Sequence, residues 1–109
     1  MLPKEHRLTA QELKNLPQTG ARVIHAPLFV AKVFESDRSA CAVVVSKKVA
    51  PRAVDRNSVR RRVYHLLAAH TLRPASVVIY TKHGINTSSP KELERQLLEL
   101  LQKSGLIKP

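Results

Sequence analysis

Positively charged side chains are concentrated in one part of the chain, where their types and spacing suit the binding of a polyanion. The segment from Lys47 to Arg73 contains eight lysines and arginines and one aspartate, so it holds +7 of the net charge of +11. Arginine guanidinium groups bind phosphate through two parallel hydrogen bonds, and lysine ammonium groups bind it as point charges. We therefore predict an RNA-binding surface formed by Lys47, Lys48, Arg52, Arg56, Asn57, Arg60, Arg61, Arg62 and Tyr64.

A solvated helix face is the ordinary explanation of a charge run, but the opposing carboxylates that it needs are missing here. No Asp or Glu lies between Arg56 and Arg73, so the arginines at 60–62 would repel one another without an external anion. Asn57 can donate to phosphate or read a base or a 2′-hydroxyl. The chain has only two tyrosines, two phenylalanines and no tryptophan, and Tyr64 is the best placed of these for base contact. Phosphate and shape contacts should dominate, which favours structured RNA.

Residues that could catalyse a reaction or hold a metal are scattered along the sequence. Glu92, Glu94 and Glu99 fall on the charged face of one predicted helix. Asp55 is interpreted as the N-cap of a helix that begins at Arg56. Five histidines and one cysteine show no zinc-ligand spacing. We predict neither a catalytic residue nor a metal site in the protein.

Length and composition predict a single domain over residues 1–109. The chain is 43% hydrophobic, enough for one core but not comfortably for two. The lone Cys41 lies in an apolar run and is expected in that core, and without a second cysteine it forms no internal disulfide, which fits a reducing compartment. The N-terminus lacks the apolar run of a signal peptide, and nothing approaches the roughly 18 apolar residues of a membrane span. We expect a cytoplasmic protein without membrane contact.

Cap and turn residues predict the elements that precede the basic segment. Thr9 and Glu12 have the capping-box pattern, so a short helix should begin at Ala10. Apolar and β-branched residues predict one strand, interrupted or not, over residues 23–34, and a buried strand over residues 40–45. The turn residues between them predict that these two strands pair as a hairpin.

An amphipathic pattern predicts that the basic segment forms a helix laid on a sheet. At about 100° per residue, the apolar stripe of residues 56–70 consists of Val59, Val63, Leu66, Leu67 and His70. One flank beside this stripe holds Asn57, Arg60, Arg61 and Tyr64. Ser58 and Arg62 point the other way, so the helix should be basic on both sides of its buried stripe.

The last part of the chain predicts a strand and a second amphipathic helix. Residues 76–80 form the strand. Ser89 and Glu92 have the pattern of a second capping box, with Pro90 at the first helical position and Gly105 as the C-terminal cap. The stripe beneath this helix is Leu93, Leu97, Leu100 and Leu101. The order is therefore helix, two or more strands, helix, strand, helix, which is an α/β pattern.

Four motifs in this order and spacing closely resemble the protein subunits of bacterial ribonuclease P. LPKEHRL at residues 2–8 is similar to the start of the family, and VSKKV at residues 45–49 is similar to its strand-to-loop signature. RNSVRR at residues 56–61 resembles its arginine-asparagine-arginine helix motif. The terminal helix that ends with SGL at residues 104–106 also fits.

The resemblance implies a fold and a set of partners. The implied fold is an α/β (α+β) two-layer sandwich: a four-stranded mixed sheet, an N-terminal helix, a basic helix that crosses left-handedly between two parallel strands, and a C-terminal helix. Ribonuclease P removes the 5′ leader from precursor tRNA, and its active site lies in an RNA subunit, with Mg²⁺ held mainly by that RNA and the substrate. The implied partners are the catalytic RNA, bound by the basic helix and loop, and the 5′ leader, held in a cleft between sheet and N-terminal helix. No further protein partner is required.

The sequence departs from the family pattern in two places. Ser58 stands where the motif has its second arginine. In the leader cleft, Leu13, Pro17 and Ala31 stand where the family usually has aromatic residues, so binding there should rest on backbone electrostatics, with Lys14 and Lys32 as the cations. The predicted leader-cleft residues are Leu13, Lys14, Ala31 and Lys32.

Two other classes of protein would also use a basic helix. A ribosome-associated RNA-binding protein without processing activity would suit the same charge distribution and is the alternative left open. A helix-turn-helix DNA regulator would need a second helix immediately before the basic one. Instead the preceding residues 42–45 have the pattern of a strand, which disfavours that class.

Overall fold

The computed structural model describes residues 6–16, 20–70, 72–85 and 88–107. Their elements, in chain order, are α1 (Ala10–Lys14), β1 (Arg22–His25), β2 (Phe29–Glu35), β3 (Ala40–Val44), α2 (Ala53–Ala68), β4 (Ala75–Thr81) and α3 (Pro90–Lys103). The strands form one mixed sheet in the order β1-β2-β4-β3. The predicted four-stranded sheet with three helices is confirmed.

The capping box at the start of α1 is confirmed. The Glu12 N–H donates to Thr9 Oγ1 over 3.1 Å, and the Thr9 N–H donates to Glu12 Oε1 over 3.0 Å. These reciprocal bonds satisfy two amides that have no partner inside the helix. The hydrogen bonds place the helix start where the sequence predicted it.

The prediction of one strand, interrupted or not, over residues 23–34 is wrong, because the chain reverses there and forms two paired strands. β1 and β2 pair antiparallel, with His25 opposite Val30. The turn is closed by the Ala26 N–H, which donates to the Phe29 carbonyl over 2.8 Å. Proline lacks a backbone N–H and cannot continue a sheet ladder, so Pro27 falls in the turn itself.

The hairpin predicted between residues 23–34 and 40–45 is also wrong. β4 lies between β2 and β3, pairing antiparallel with the first and parallel with the second. Five of its seven residues are buried, and a strand covered on both faces takes the centre of a sheet. The turn residues at 36–39 therefore reverse the chain locally without pairing the strands that they connect.

The helix α2 connects the parallel strands β3 and β4, as the family resemblance implies. It begins at Ala53 and ends at Ala68, three and two residues before the predicted limits. Val59, Val63 and Leu67 are buried, whereas Leu66 and His70 of the predicted stripe are half-buried. The left-handed sense of the crossover stays a prediction.

One face of the sheet packs against α2 and α3 to form the core. Alternate residues along each strand point to this face, and the sheet contributes Phe29, Ala31, Val33, Cys41, Val43, Val77 and Ile79. Each fully buried large apolar side chain stabilises the fold by about 1.5–3 kcal/mol relative to exposure. Cys41 is 1% exposed, which confirms its predicted core position, and this burial raises the pKa of its thiol to about 12.

The predicted limits of α3 are confirmed, with one difference in the first turn. Ser89 Oγ accepts from the Glu92 N–H over 3.2 Å, but the Glu92 carboxylate accepts from Arg95 and Gln96 rather than completing a capping box. At the other end Gly105 has φ +77°, and its N–H donates to the Gln102 carbonyl over 3.1 Å. A left-handed glycine in this position ends the helix without steric cost. No helix among the described residues is long and apolar enough to cross a membrane.

Candidate RNA interface

The loop between β3 and α2 presents two lysines from a fixed turn. The amides of Val49 and Ala50 donate to the Ser46 carbonyl over 3.1 and 3.0 Å, and both of these side chains are buried. The turn therefore has an apolar anchor, while Lys47 and Lys48 at its tip are exposed. The two lysines thus project from an anchored turn, which lowers the backbone ordering cost of binding an anion.

Arg56 holds this loop against the helix. Its Nη1 donates to the carbonyls of Ala50 and Pro51 over 3.0 and 2.8 Å, and the residue is half-buried. The sequence predicted Arg56 only as an RNA contact, and no sequence signal indicated that its guanidinium would join loop and helix. Its contact with RNA stays a prediction. That contact would use the guanidinium N–H groups that do not bond to these two carbonyls.

The start of α2 has no side-chain cap. Asp55 was predicted to be the N-cap, but the helix begins at Ala53, so this prediction is wrong. Asp55 lies in the first helical turn, where a carboxylate complements the positive end of the helix dipole. The N-cap is Arg52, which is exposed and lies 3.8 Å from the Asp55 carboxylate. The helix N-terminus thus adds unpaired backbone amides to the cations of the loop.

The exposed flank of α2 brings three of the predicted residues together. Asn57 and Arg61 are exposed, and Arg60 is half-buried. The Arg60 guanidinium donates to Asn57 Oδ1, which orients both side chains. The amide nitrogen of Asn57 and the other donors of Arg60 take no part in this hydrogen bond. We call Asn57, Arg60 and Arg61 the basic flank.

Tyr64 adjoins the basic flank and has a structural contact. Its hydroxyl accepts from the Val43 N–H over 3.1 Å. β3 is an edge strand, so this amide has no partner in the sheet, and the tyrosine supplies one. Further along the same edge the Leu8 N–H donates to the Cys41 carbonyl over 2.8 Å. The RNA contact of Tyr64 stays a prediction. It would involve the ring of this half-buried residue, because the hydroxyl already bonds to Val43.

The cations of this surface are almost free of carboxylates. Arg52 and Asp55 form the only ion pair that involves loop 46–51 or α2 within the described ranges. Lys47, Lys48 and Arg61 are exposed without an acidic partner, and so is Arg62 on the opposite flank of the helix. An uncompensated positive field of this kind attracts a polyanion and accelerates its association.

The two strand residues of the leader-cleft prediction, Ala31 and Lys32, lie on opposite faces of the sheet. Ala31 is 1% exposed and belongs to the core beneath the helices, so its placement in the cleft is wrong. Side chains alternate along a strand, and a shift by one residue reverses the face. Lys32 therefore lies on the face away from the core, where its Nζ is 5.5 Å from the centre of the Tyr80 ring.

The helix α1 carries the other two leader-cleft residues. Lys14 is exposed in its last turn, and Leu13 is half-buried. Pro17 lies outside the described residues. Arg38 Nη2 donates to both carboxylate oxygens of Glu12 over 3.2 and 3.0 Å, which ties α1 to the connection between β2 and β3. Hydrogen bonds from the Thr9 backbone and the Arg38 side chain lower the pKa of Glu12.

The remaining chemistry of the described residues offers no metal centre. They contain no group of three or more His, Cys, Asp or Glu that could hold an ion. The Glu92 and Glu99 carboxylates of α3 pair instead with Arg95 and Lys103. The exposed cations of loop 46–51 and α2 are suited to binding an anion.

Comparisons with known proteins agree with this description. The family model described as ribonuclease P matches residues 2–105. The ribonuclease P protein component of Desulfosudis oleivorans is 34% identical over 93 residues, which are 80% of this chain and 75% of that protein.

Solved structures share the fold at lower identity. A Staphylococcus aureus ribonuclease P protein, a mutant with defective mRNA degradation activity, superposes with a TM-score of 0.85 at 16% identity, covering 95% of this chain and 92% of that one. The Thermotoga maritima ribonuclease P protein gives 0.73 at 17% identity, covering 89% and 96%. Because the family model spans almost the whole sequence and the basic surface lies within it, the chain belongs to the ribonuclease P protein family.

Proposed function

We propose that this chain assists the catalytic RNA of ribonuclease P in processing precursor tRNA by binding that RNA through loop 46–51 and the basic flank. The observation that carries this proposal is the set of exposed cations without acidic partners on α2 and the loop before it. Phosphate is the ligand that such guanidinium and ammonium groups bind best. As a family member, the chain is a component of an endoribonuclease.

In this proposal the active site lies in the RNA. The described part of the protein offers no carboxylate cluster for Mg²⁺, so the ions at the scissile phosphate would be held by RNA and substrate oxygens, which magnesium prefers. The protein supplies positive charge that screens the repulsion between the catalytic RNA and the precursor tRNA. It should thereby lower the magnesium concentration that the reaction needs.

We propose that the 5′ leader lies across the sheet face opposite the core. Lys32 and Tyr80 present a cation and a half-buried ring on that face, and Lys14 adds a charge from α1. The contact should be largely independent of leader sequence, because one lysine at a phosphate carries no base information.

A cytoplasmic location fits the unpaired, buried thiol of Cys41.

Reconstitution with the RNA subunit tests the proposal. Cleavage of precursor tRNA is measured at low magnesium with no protein, with wild type, with Lys47→Ala plus Lys48→Ala, and with Arg95→Ala plus Lys103→Ala. Wild type should raise the rate, the loop variant should raise it less, and the α3 variant should act as wild type because its charges are internally paired. The same rate with and without wild-type protein would contradict the proposed function.

A further inference from the structure

A groove between α2 and α3 lies on the side of α2 that faces away from Asn57 and Arg60. Its volume is about 520 Å³, within the roughly 300–1,000 Å³ of small-ligand sites. Its walls are largely apolar: Leu93 is buried, Leu66 is half-buried, and Pro90 contributes its ring from the start of α3. These surfaces would suit a planar ring better than a bare phosphate.

The rim of the same groove is cationic. Arg61, which the groove shares with the basic flank, lines it together with Arg62 and His65, and all three are exposed. Neither arginine has an acidic partner within the described ranges. An apolar slot bordered by guanidinium groups matches a nucleotide, whose base is flat and whose phosphate is anionic, because unstacked bases bind to apolar and guanidinium planes.

Ser58 keeps the groove open. This serine lines it at the position where the arginine motif of residues 56–60 would have its second arginine. A serine side chain ends one atom beyond Cβ, whereas an arginine would extend over the groove. The departure from the motif thus removes a cation from the helix surface and leaves room for a ring beside it.

Glu94 supplies the only acidic side chain of the groove lining and has no ion-pair partner among the described residues. A carboxylate accepts from the exocyclic amino group of cytosine and repels the carbonyl that uracil has at the same place. A free carboxylate at the rim is unfavourable for a purely phosphate-binding site, but it suits recognition of an amino-bearing base.

We propose that the groove between α2 and α3 holds one unstacked nucleotide of the RNA partner, with the base against Leu66 and Leu93, the phosphates at Arg61 and Arg62, and Glu94 selecting an amino group such as that of cytosine. This inference rests on the proposed function, since it specifies which nucleotide chemistry the RNA-binding helix recognises. The cationic rim favours RNA over a protein partner, for which arginine without counter-charge would be costly to bury.

Nuclear magnetic resonance titration of the whole chain with cytidine monophosphate, and separately with uridine monophosphate, tests the site. Signals of Leu66, Leu93 and His65 should shift with the cytidine nucleotide and saturate about fivefold earlier than with the uridine nucleotide, the ratio expected for one net hydrogen bond. Glu94→Gln should abolish this preference, because an amide can donate or accept. Equal binding of the two nucleotides by wild type, or no saturable shift at these residues, would overturn the proposal.

Two leucine variants separate this site from the rest of the interface. Ser58→Leu fills the groove, so it should abolish the cytidine shifts and weaken binding of the catalytic RNA about fivefold. Gln102→Leu places the same side chain on an exposed part of α3 outside the groove and should change neither. If Ser58→Leu does not fold, Glu94→Gln decides the question alone.

The outcomes distinguish the inference from the proposed function. Wild-type protein that does not bind the catalytic RNA contradicts the proposed function. Wild-type protein that binds it, with Ser58→Leu and Glu94→Gln binding RNA and nucleotides equally well, contradicts only the groove. A change of oligomeric state in Ser58→Leu with unaltered RNA affinity would also overturn the groove proposal, in favour of a contact between protein copies.

Discussion

The helices α2 and α3 both pack one face on the same sheet, yet they differ in how far their charged side chains form ion pairs with one another. On α3 four of the six charged residues form a ladder: Glu92 and Glu99 both pair with Arg95, and Glu99 also lies 3.8 Å from Lys103. On α2 four arginines face one aspartate. A charge run becomes a solvated face when opposite charges recur three or four residues apart, and a ligand surface when they do not.

The buried faces of the two helices also differ, with longer apolar side chains on α3 than on α2. α3 buries Leu93, Leu97, Leu100 and Leu101, whereas α2 buries two valines and one leucine. The longer side chains of α3 fill more of the core, so α3 stabilises the fold more strongly. α2 needs only enough apolar contact to fix its cations in place. Stability and binding are therefore divided between neighbouring helices.

The largest effect that tests this division should come from the core face of α3. Leu97→Ala should lower the free energy of unfolding by about 2–5 kcal/mol, as for other buried leucines that leave a cavity. Leu97 is 2% exposed. Leu66→Ala on α2 is the matched control and should cost less, since that side chain is half-buried. Urea unfolding measures both, and equal losses would show that the helices share the structural role.

The next effect concerns the basic flank of α2. Arg60→Ala plus Arg61→Ala should weaken binding of the catalytic RNA roughly 100-fold at moderate salt, the effect of losing two charge-assisted hydrogen bonds. The logarithmic salt dependence should flatten by about 0.7–0.9 for each lost phosphate contact. Filter-binding isotherms over a range of salt concentrations measure affinity and slope together.

A matched change on α3 is the control for net charge. Arg95→Ala plus Lys103→Ala also removes two positive charges, but from side chains that already pair with carboxylates of α3. Its salt slope should equal that of wild type. If both double variants lose the same slope, total charge rather than the basic flank governs binding.

Local patterns predicted the helices well and the sheet poorly. The caps at Thr9 and Ser89 and the glycine at 105 act within a few residues of themselves, so the sequence placed α1 and α3 correctly. The partner of a strand depends on distant residues. The pairing of β4 between β2 and β3 follows from burial on both of its faces, which no turn motif at 36–39 reveals.

The site shows the same limit. Exposed cations could be predicted because charge without counter-charge is visible in the sequence. The anchoring contacts of Arg56 with residues 50 and 51, and of Tyr64 with Val43, depend on how the loop and the edge strand fold back on the helix. Ala31 was placed on the wrong side of the sheet because an error of one residue in a strand reverses the face.

A smaller effect should separate the structural contact of Tyr64 from contact with RNA. Tyr64→Phe keeps the ring but leaves the Val43 N–H without its acceptor, which should cost about 1–3 kcal/mol of stability if water does not replace it. RNA affinity of the folded variant should stay near that of wild type. Thermal unfolding and RNA binding, measured on the same sample, check this. A loss of affinity without a loss of stability would assign the hydroxyl to RNA instead.

The smallest effect uses pH to compare the two helices. Hydrogen bonds from Arg95 and then Gln96 lower the pKa of Glu92 in the folded protein. A carboxyl with a lowered folded pKa stabilises the protein above its unfolded value of about 4.3, and this contribution is lost as pH falls through the folded pKa. Glu92→Gln should therefore lower the melting temperature slightly at pH 7, and the difference from wild type should disappear in acid.

Salt separates this contribution from a general effect of acid on the fold. The Glu92 and Arg95 side chains are solvent-exposed, so added salt should screen their pairing at neutral pH and bring Glu92→Gln closer to wild type. A difference in melting temperature that persisted in acid and in high salt would show that Glu92 acts through packing. The charges of α3 would then not be the self-neutralising ladder that distinguishes it from α2.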